Sequence, residues 1–481
     1  MNIKKIFTQP WSFVWGGFLV GLAQVIYFLK YETPIPVTTG LAKMFGSIEE
    51  NITKTDYLTR LYDADIHWII IGILFGAFLV AVFEREHKAW AKYPPRIALL
   101  AFIGGATFGL GTRLAQGCTT WHYLGGIPAM SLTSIVVALV SVPFAFLAFM
   151  FMSKLDAGGY MKHHEKHATV KHCVDLAYPH DTLCYDPGYK PYKDPLRIIL
   201  TAFLFLLLAS TFYTAFTGET SEGIGRLPWV EIFLKTFIGF LLGFGIGKTG
   251  FGTECAVMAP HSIHMSQKHF DSMKVAKITQ TMFTGLLPFT ALLIAIVMFN
   301  LTILITWIFF GWDIPVVVES GRYKWGFHLG HLVGGPLLGI GAVLMIGCEI
   351  RTYARTAMGY LTGLASLPGF FFGYLPFTLY KEKFEQIFFS KGFMEAKNIL
   401  ELLPENPYIQ YGFAFCYTGV LAALLVWAVR KGSQMTKVTP REYLTESTDE
   451  IFLKGLETKK VDLTNNSIQG RALAMQNNKE R

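Results

Sequence analysis

Gly104–Cys118 reads GGATFGLGTRLAQGC, and Gly334–Cys348 reads GGPLLGIGAVLMIGC. The two stretches align without a gap. Gly104, Gly105, Gly109, Gly111, Gly117 and Cys118 fall on Gly334, Gly335, Gly339, Gly341, Gly347 and Cys348. The shared pattern, G-G-x3-G-x-G-x5-G-C, is an internal repeat, and a repeat constrains the architecture before any single element does. A looser third copy, GFLLGFGIGKTGFGTEC, runs from Gly239 to Cys255 with a slip in register.

Around these copies the chain is apolar. It has 481 residues, 52% hydrophobic and 16% charged, where a soluble domain carries about 25% charged residues. Apolar runs of roughly 18 or more residues recur, enough to cross a hydrocarbon core about 30 Å thick. The sequence therefore predicts an all-α polytopic membrane protein of ten transmembrane helices, near 11–29, 66–83, 97–113, 131–152, 197–216, 231–250, 279–310, 327–346, 357–379 and 411–429. The seventh is long for an upright crossing and is expected to tilt or to project beyond the bilayer. Trp11–Leu29 lacks a small-residue cleavage site and reads as a retained span, not a signal peptide. The +8 net charge does not imply a nucleic-acid partner, because the cytoplasmic loops of such proteins gather Lys and Arg.

Orientation follows from the same bias. With the N-terminus inside, the inner segments 1–10, 84–96, 153–197, 251–278, 347–356 and the tail from 430 hold well over twice the Lys and Arg of the outer segments 30–65, 217–230, 311–326 and 380–410. Both termini are thus expected in the cytoplasm. A transport domain over 1–430 is read as two halves, about 11–216 and 231–430. The first carries a polar cytoplasmic loop at 153–196, with histidines at 163, 164, 167 and 172, and a charged tail at 431–481 follows the second. In this topology the span before Cys118 runs outward and the one before Cys348 runs inward. The copies are inverted, an arrangement that commonly encloses a path on a pseudo-two-fold axis. The apolar but broken stretches after Cys118 (TTWHYLGGIPAMS) and Cys255 (AVMAPHSIHMS) are too short to span. Irregular backbone at that depth survives when buried in protein or lining a cavity, so both read as re-entrant segments.

The chemistry concentrates where the copies end. Six cysteines form no CxxC pair, and Cys118, Cys255 and Cys348 each close a Gly-rich run, which argues against a disulfide framework. A thiol is a weak donor and a polarizable, weak acceptor. It suits a soft sulfur-bearing anion better than a hard hydrated one, and a permeation site must hold its ion loosely enough to release it. Arg113, Lys248 and Arg351 lie within seven residues of these cysteines, and ionisable groups at membrane depth are functional candidates. Their alternative is snorkelling or positive-inside anchoring. Glu254 and Glu349 adjoin two of the cysteines and could pair with those bases or relay protons. His122, His261 and His264 follow Cys118 and Cys255 at spacings that match no standard zinc pattern, so no metal site is expected. Absence of a Walker pattern argues against direct ATP use, and the chain is read as a non-enzyme without a cofactor.

At GCTT (117–120), GTEC (252–255) and GCEIR (347–351) the chain resembles the YeeE/YedE membrane family of sulfur transporters, over about residues 11–430. The resemblance implies inverted halves, an hourglass with short loops entering from both faces, and path cysteines at Cys118, Cys255 and Cys348. It implies import of thiosulfate, or a related sulfur or selenium species, through a bacterial inner membrane to a cytoplasmic TusA-like sulfurtransferase. The looser third copy departs from the pattern with Glu254 where the others have glycine, and the loop 153–196 and the tail look like additions. Rival readings are a membrane-embedded sulfur carrier forming a cysteine persulfide, and a metal-ion or small-solute channel.

Overall fold

The computed structural model describes residues 11–84, 95–152, 190–217, 220–253, 286–314, 326–390, 392–396, 398–436 and 438–446. In chain order its principal helices are α1 (Phe13–Tyr31), α2 (Val37–Ile48), α3 (Trp68–Phe83), α4 (Pro95–Leu114), a π-helix (Trp121–Gly126), α5 (Leu132–Met152), α6 (Pro195–Thr217), α7 (Trp229–Thr249), α8 (Leu287–Phe310), α9 (Leu329–Leu344), α10 (Glu349–Ala357), α11 (Leu361–Leu379), α12 (Pro407–Thr436) and α13 (Pro440–Thr445). Each of the ten expected spans contains a helix among the described residues. Seven helical stretches among the described residues are long and apolar enough to cross a bilayer, and α3 and Leu132–Ala148 are shorter apolar helices. The protein is a multi-pass, all-α membrane protein. Its extended structure among the described residues is one short antiparallel pair, Phe327–His328 with Gly392–Met394.

Helices in lipid are held together by close packing, not by hydrophobic exclusion, so small residues decide which of them meet. α4 and α9, the helices of the two clearest copies, lie antiparallel with backbone against backbone. A methyl group built on Gly104 would lie 2.6 Å from the Met345 nitrogen, and one on Gly341 2.6 Å from the Phe108 nitrogen. Gly111 stands in the same relation to Leu338, at 2.9 Å, and Gly334 to Ala115. Replacing every residue of these pairs by its counterpart in the other copy returns the same set of pairs. That closure is the signature of a two-fold axis between inverted repeats.

The exchange extends outward. Gly105 and Gly109 of α4 pack on Phe370 and Gly373 of α11, while Gly335 and Gly339 of α9 pack on Val137–Ala145 of α5. Further out, methyl groups on Gly17 and Gly21 of α1 would meet Ala291 and Ala295 of α8. Those on Gly239 and Gly243 of α7 would meet Ile69 and Ile73 of α3. α1, α3, α4 and α5 of the first half thus have second-half counterparts, α7, α8, α9 and α11, making the equivalent contacts.

Two features differ from the sequence reading. Residues 30–65, read as an outer loop, contain α2, a half-helix with ten of its twelve residues buried. It follows Pro34-Ile35-Pro36, which ends α1 and turns the chain inward. Buried Glu49 fastens the return, its Oε2 accepting from the amides of Leu58 (2.7 Å) and Thr59 (3.1 Å). At twelve residues α2 is too short to register as a span. The last helix, α12, extends to 30 residues, roughly 45 Å, beyond the 411–429 expected. Its polar end is held by α13, whose Tyr443 ring lies on Gly432. α13 itself starts with a capping box between Thr439 and Glu442.

Candidate substrate path at the paired cysteine turns

Both copies end in the same turn. After α4, the amide of Ala115 donates to Gly111 O (2.8 Å) and that of Gly117 to Thr112 O (3.0 Å). After α9, Met345 donates to Gly341 O (3.0 Å) and Gly347 to Ala342 O (2.8 Å). This is the Schellman pattern, which places a left-handed residue just past the helix. The left-handed residues are Gln116 (φ 59) and Ile346 (φ 61). Such a conformation is unusual for a β-branched side chain and is the kind of strain that collects at functional sites. The glycine that follows is needed for space: a methyl group on Gly117 would lie 2.5 Å from the Trp121 ring, and one on Gly347 3.0 Å from Arg351 Cδ.

Each cysteine then starts the next helical segment. The Cys118 carbonyl accepts from His122 N (2.9 Å), and the Cys348 carbonyl from Thr352 N (2.8 Å). Cys118 Sγ also accepts the Trp121 amide at 3.4 Å. Both thiols are buried, at 1% and 0% exposure.

The turns converge. Glu349 follows Cys348 and is fully buried. It accepts from Thr38 Oγ1 at 2.7 Å and from the Tyr353 hydroxyl, and the Cys118 thiol lies close by. The end of the third copy joins them. Thr253 Oγ1 donates to Thr119 Oγ1 at 3.3 Å, and a methyl group on Gly252 would lie 3.7 Å from Cys348 Sγ and 2.9 Å from Arg351 Cδ. Glu254, Cys255, His261 and His264 lie outside the described residues.

Arg113, in the last turn of α4, is 8% exposed. Its Nη1 donates to Tyr62 OH at 2.6 Å, and its guanidinium lies over the rings of Tyr62 (4.9 Å) and Tyr374 (4.6 Å). Its Nε and Nη2 are buried with no hydrogen-bond partner among the described residues. Aromatic faces stabilise a cation without discharging it, so this cage holds a positive charge whose remaining donors are open to an anion.

The other candidates are placed differently. Lys248 is fully buried in an ion pair with Glu84 at the end of α3, and its Nζ lies 5.8 Å from the Trp11 ring centroid. His122 uses both ring nitrogens to fasten its own turn, Nε2 to Ala115 O (3.0 Å) and Nδ1 to Ser134 Oγ (2.9 Å). Arg351 is buried against Gly347 and Gly252. Sequence reasoning missed Thr38, Tyr62, Tyr353 and Tyr374. Tyr353 alone was within reach, since it stands one helical turn beyond Glu349. No group of three or more His, Cys, Asp or Glu positioned for a metal ion occurs among the described residues.

The model of the Sulphur transport family matches residues 1–147 and 261–463, and so takes in both copies of the inverted repeat. The chain belongs to the sulphur transport family. The family match passes the last span and takes in part of the tail, which the sequence reading had set outside the family core. It omits 148–260, which includes the polar loop and the whole of the third copy. Among curated proteins the chain is similar to the thiosulfate transporter TsuA of Spirochaeta thermophila, with 37% identity over 65 residues. That alignment spans 14% of this chain and only 20% of the length of TsuA.

Proposed function

We propose that this member of the sulphur transport family carries thiosulfate, or a closely similar sulfur anion, past the two cysteine turns on the pseudo-two-fold axis. The observation that carries the reading is Arg113. A buried guanidinium caged by Tyr62 and Tyr374 near Cys118 and Glu349, with Nε and Nη2 not bonded by the described residues, has the charge and donors that bind an anion. The thiols supply soft, weak contacts on which a sulfur anion can rest without being trapped. Their burial favours passage over a persulfide carrier, because a reactive cysteine needs partial exposure. In this reading transport is inward, both termini lie in the cytoplasm as the Lys and Arg bias leads one to expect, and delivery to a TusA-like sulfurtransferase at the inner face completes the scheme. Cys255 and Arg351 are assigned to the same path, with Arg351 at its inner end.

Purified protein in proteoliposomes should take up labelled thiosulfate, with sulfite and selenite competing better than sulfate. Equal competition by sulfate would remove the soft-anion argument, and no uptake would remove the reading. Arg113→Lys keeps the charge but loses the planar fork. A hydrogen bond to a charged group contributes about 1.5–3 kcal/mol, so this variant should raise the apparent KM for thiosulfate about tenfold or more. An unchanged KM would exclude Arg113 as the anion site.

A further inference from the structure

We propose that Glu349 is a proton site, and that one proton travels in the same direction with each anion that passes Cys118. The inference rests on the thiosulfate reading and adds an activity to it: proton–anion symport. Glu349 is fully buried, and among the described residues no Lys or Arg forms an ion pair with it. Its oxygens instead collect the hydroxyls of Thr38 and Tyr353, with the Cys118 thiol close by.

That geometry poses a conflict. An ionised carboxylate only accepts hydrogen bonds, so it engages the Thr38 O–H and the Tyr353 O–H, donors an anion on the axis would use. It also repels such an anion through a water-poor interior, where charge interactions are strong. Adding one proton removes both obstacles. The carboxyl becomes neutral and gains an O–H donor, and Thr38 can turn to accept from it, leaving the Thr38 O–H free to face the anion. When the anion leaves, loss of that proton returns the donors to Glu349. No bond other than Oε–H is made or broken, and no redox partner is required.

The surrounding charges fit this assignment. Tyr353 on the same helix and Tyr374 on α11 are neutral donors. Arg113 on α4 is close enough to act on Glu349 electrostatically but is held between Tyr62 and Tyr374. Arg355 donates to Ile346 O at 2.8 Å, and Arg351 packs on Gly347 and Gly252. From α7 and α3 come Lys248 and Glu84, which neutralise each other.

The test is the equilibrium distribution of labelled thiosulfate in proteoliposomes with the membrane potential clamped at zero. With one coupled proton, each pH unit of acid-outside gradient should raise the inside-to-outside ratio about tenfold, and a dye inside should report acidification only when thiosulfate is present. Glu349→Gln should still equilibrate thiosulfate but hold the ratio at one, and Glu349→Asp should restore accumulation. A wild-type ratio that stays at one despite rapid uptake overturns the proposal, as does tenfold accumulation by Glu349→Gln. Wild-type protein that takes up no thiosulfate at all overturns the transport reading itself, and this proposal with it.

Discussion

Proteoliposomes carrying Cys118→Ala or Cys348→Ala should take up labelled thiosulfate roughly a hundredfold more slowly than wild type, a barrier increase of about 2.8 kcal/mol, with normal amounts of folded protein. The two halves of that expectation have separate grounds. Folding should survive because alanine fits where cysteine does, and the main loss at Cys118 is one weak amide-to-sulfur contact of 3.4 Å. The helical segments are still started by the carbonyls of residues 118 and 348, bonded to His122 and Thr352. Uptake should slow because each variant removes one of the two thiols at the converging turns, and a methyl group offers the anion nothing in its place. Serine should fall between, since a hydroxyl donates more strongly but is a harder contact. Wild-type rates in both alanine variants would end the thiol path.

Lys248→Met should lower the stability of the detergent-solubilised protein by about 3–5 kcal/mol, the usual cost of leaving one member of a buried ion pair without its partner. The pair is buried at both ends, with side-chain exposures of 0% and 1%. The double variant with Glu84→Gln should recover most of the loss, because removing both charges is far cheaper than removing one. A thermal unfolding series of the four proteins measures this directly. The double variant also separates two roles for Lys248. Normal uptake assigns it to holding α3 against α7, whereas a folded but inactive protein assigns it to the path.

How much of this could be read from the chain depended on distance along it. The ten spans, the glycine pattern and the Gly-Cys endings are local, and each became a helix, a seam or a turn. Glu349 was legible because it sits beside Cys348. The partners that give it meaning were not, because Thr38 and Tyr62 come from a stretch too short and too polar to look like a membrane element. Tyr374 approaches Arg113 only through the packing of α11 on α4, which no spacing encodes. Lys248 shows the converse. Its position near a cysteine invited a role in the path, while the carboxylate that pairs with it stands at the end of a different span.

The seam between α4 and α9 has a mechanical consequence. With backbone resting on backbone at Gly104, Gly111, Gly334 and Gly341, little side-chain volume is left along this seam to shear or roll. Tipping one half over the other would prise apart these close contacts, so the joint between α4 and α9 is a stiff keel on which the outer helices are hung.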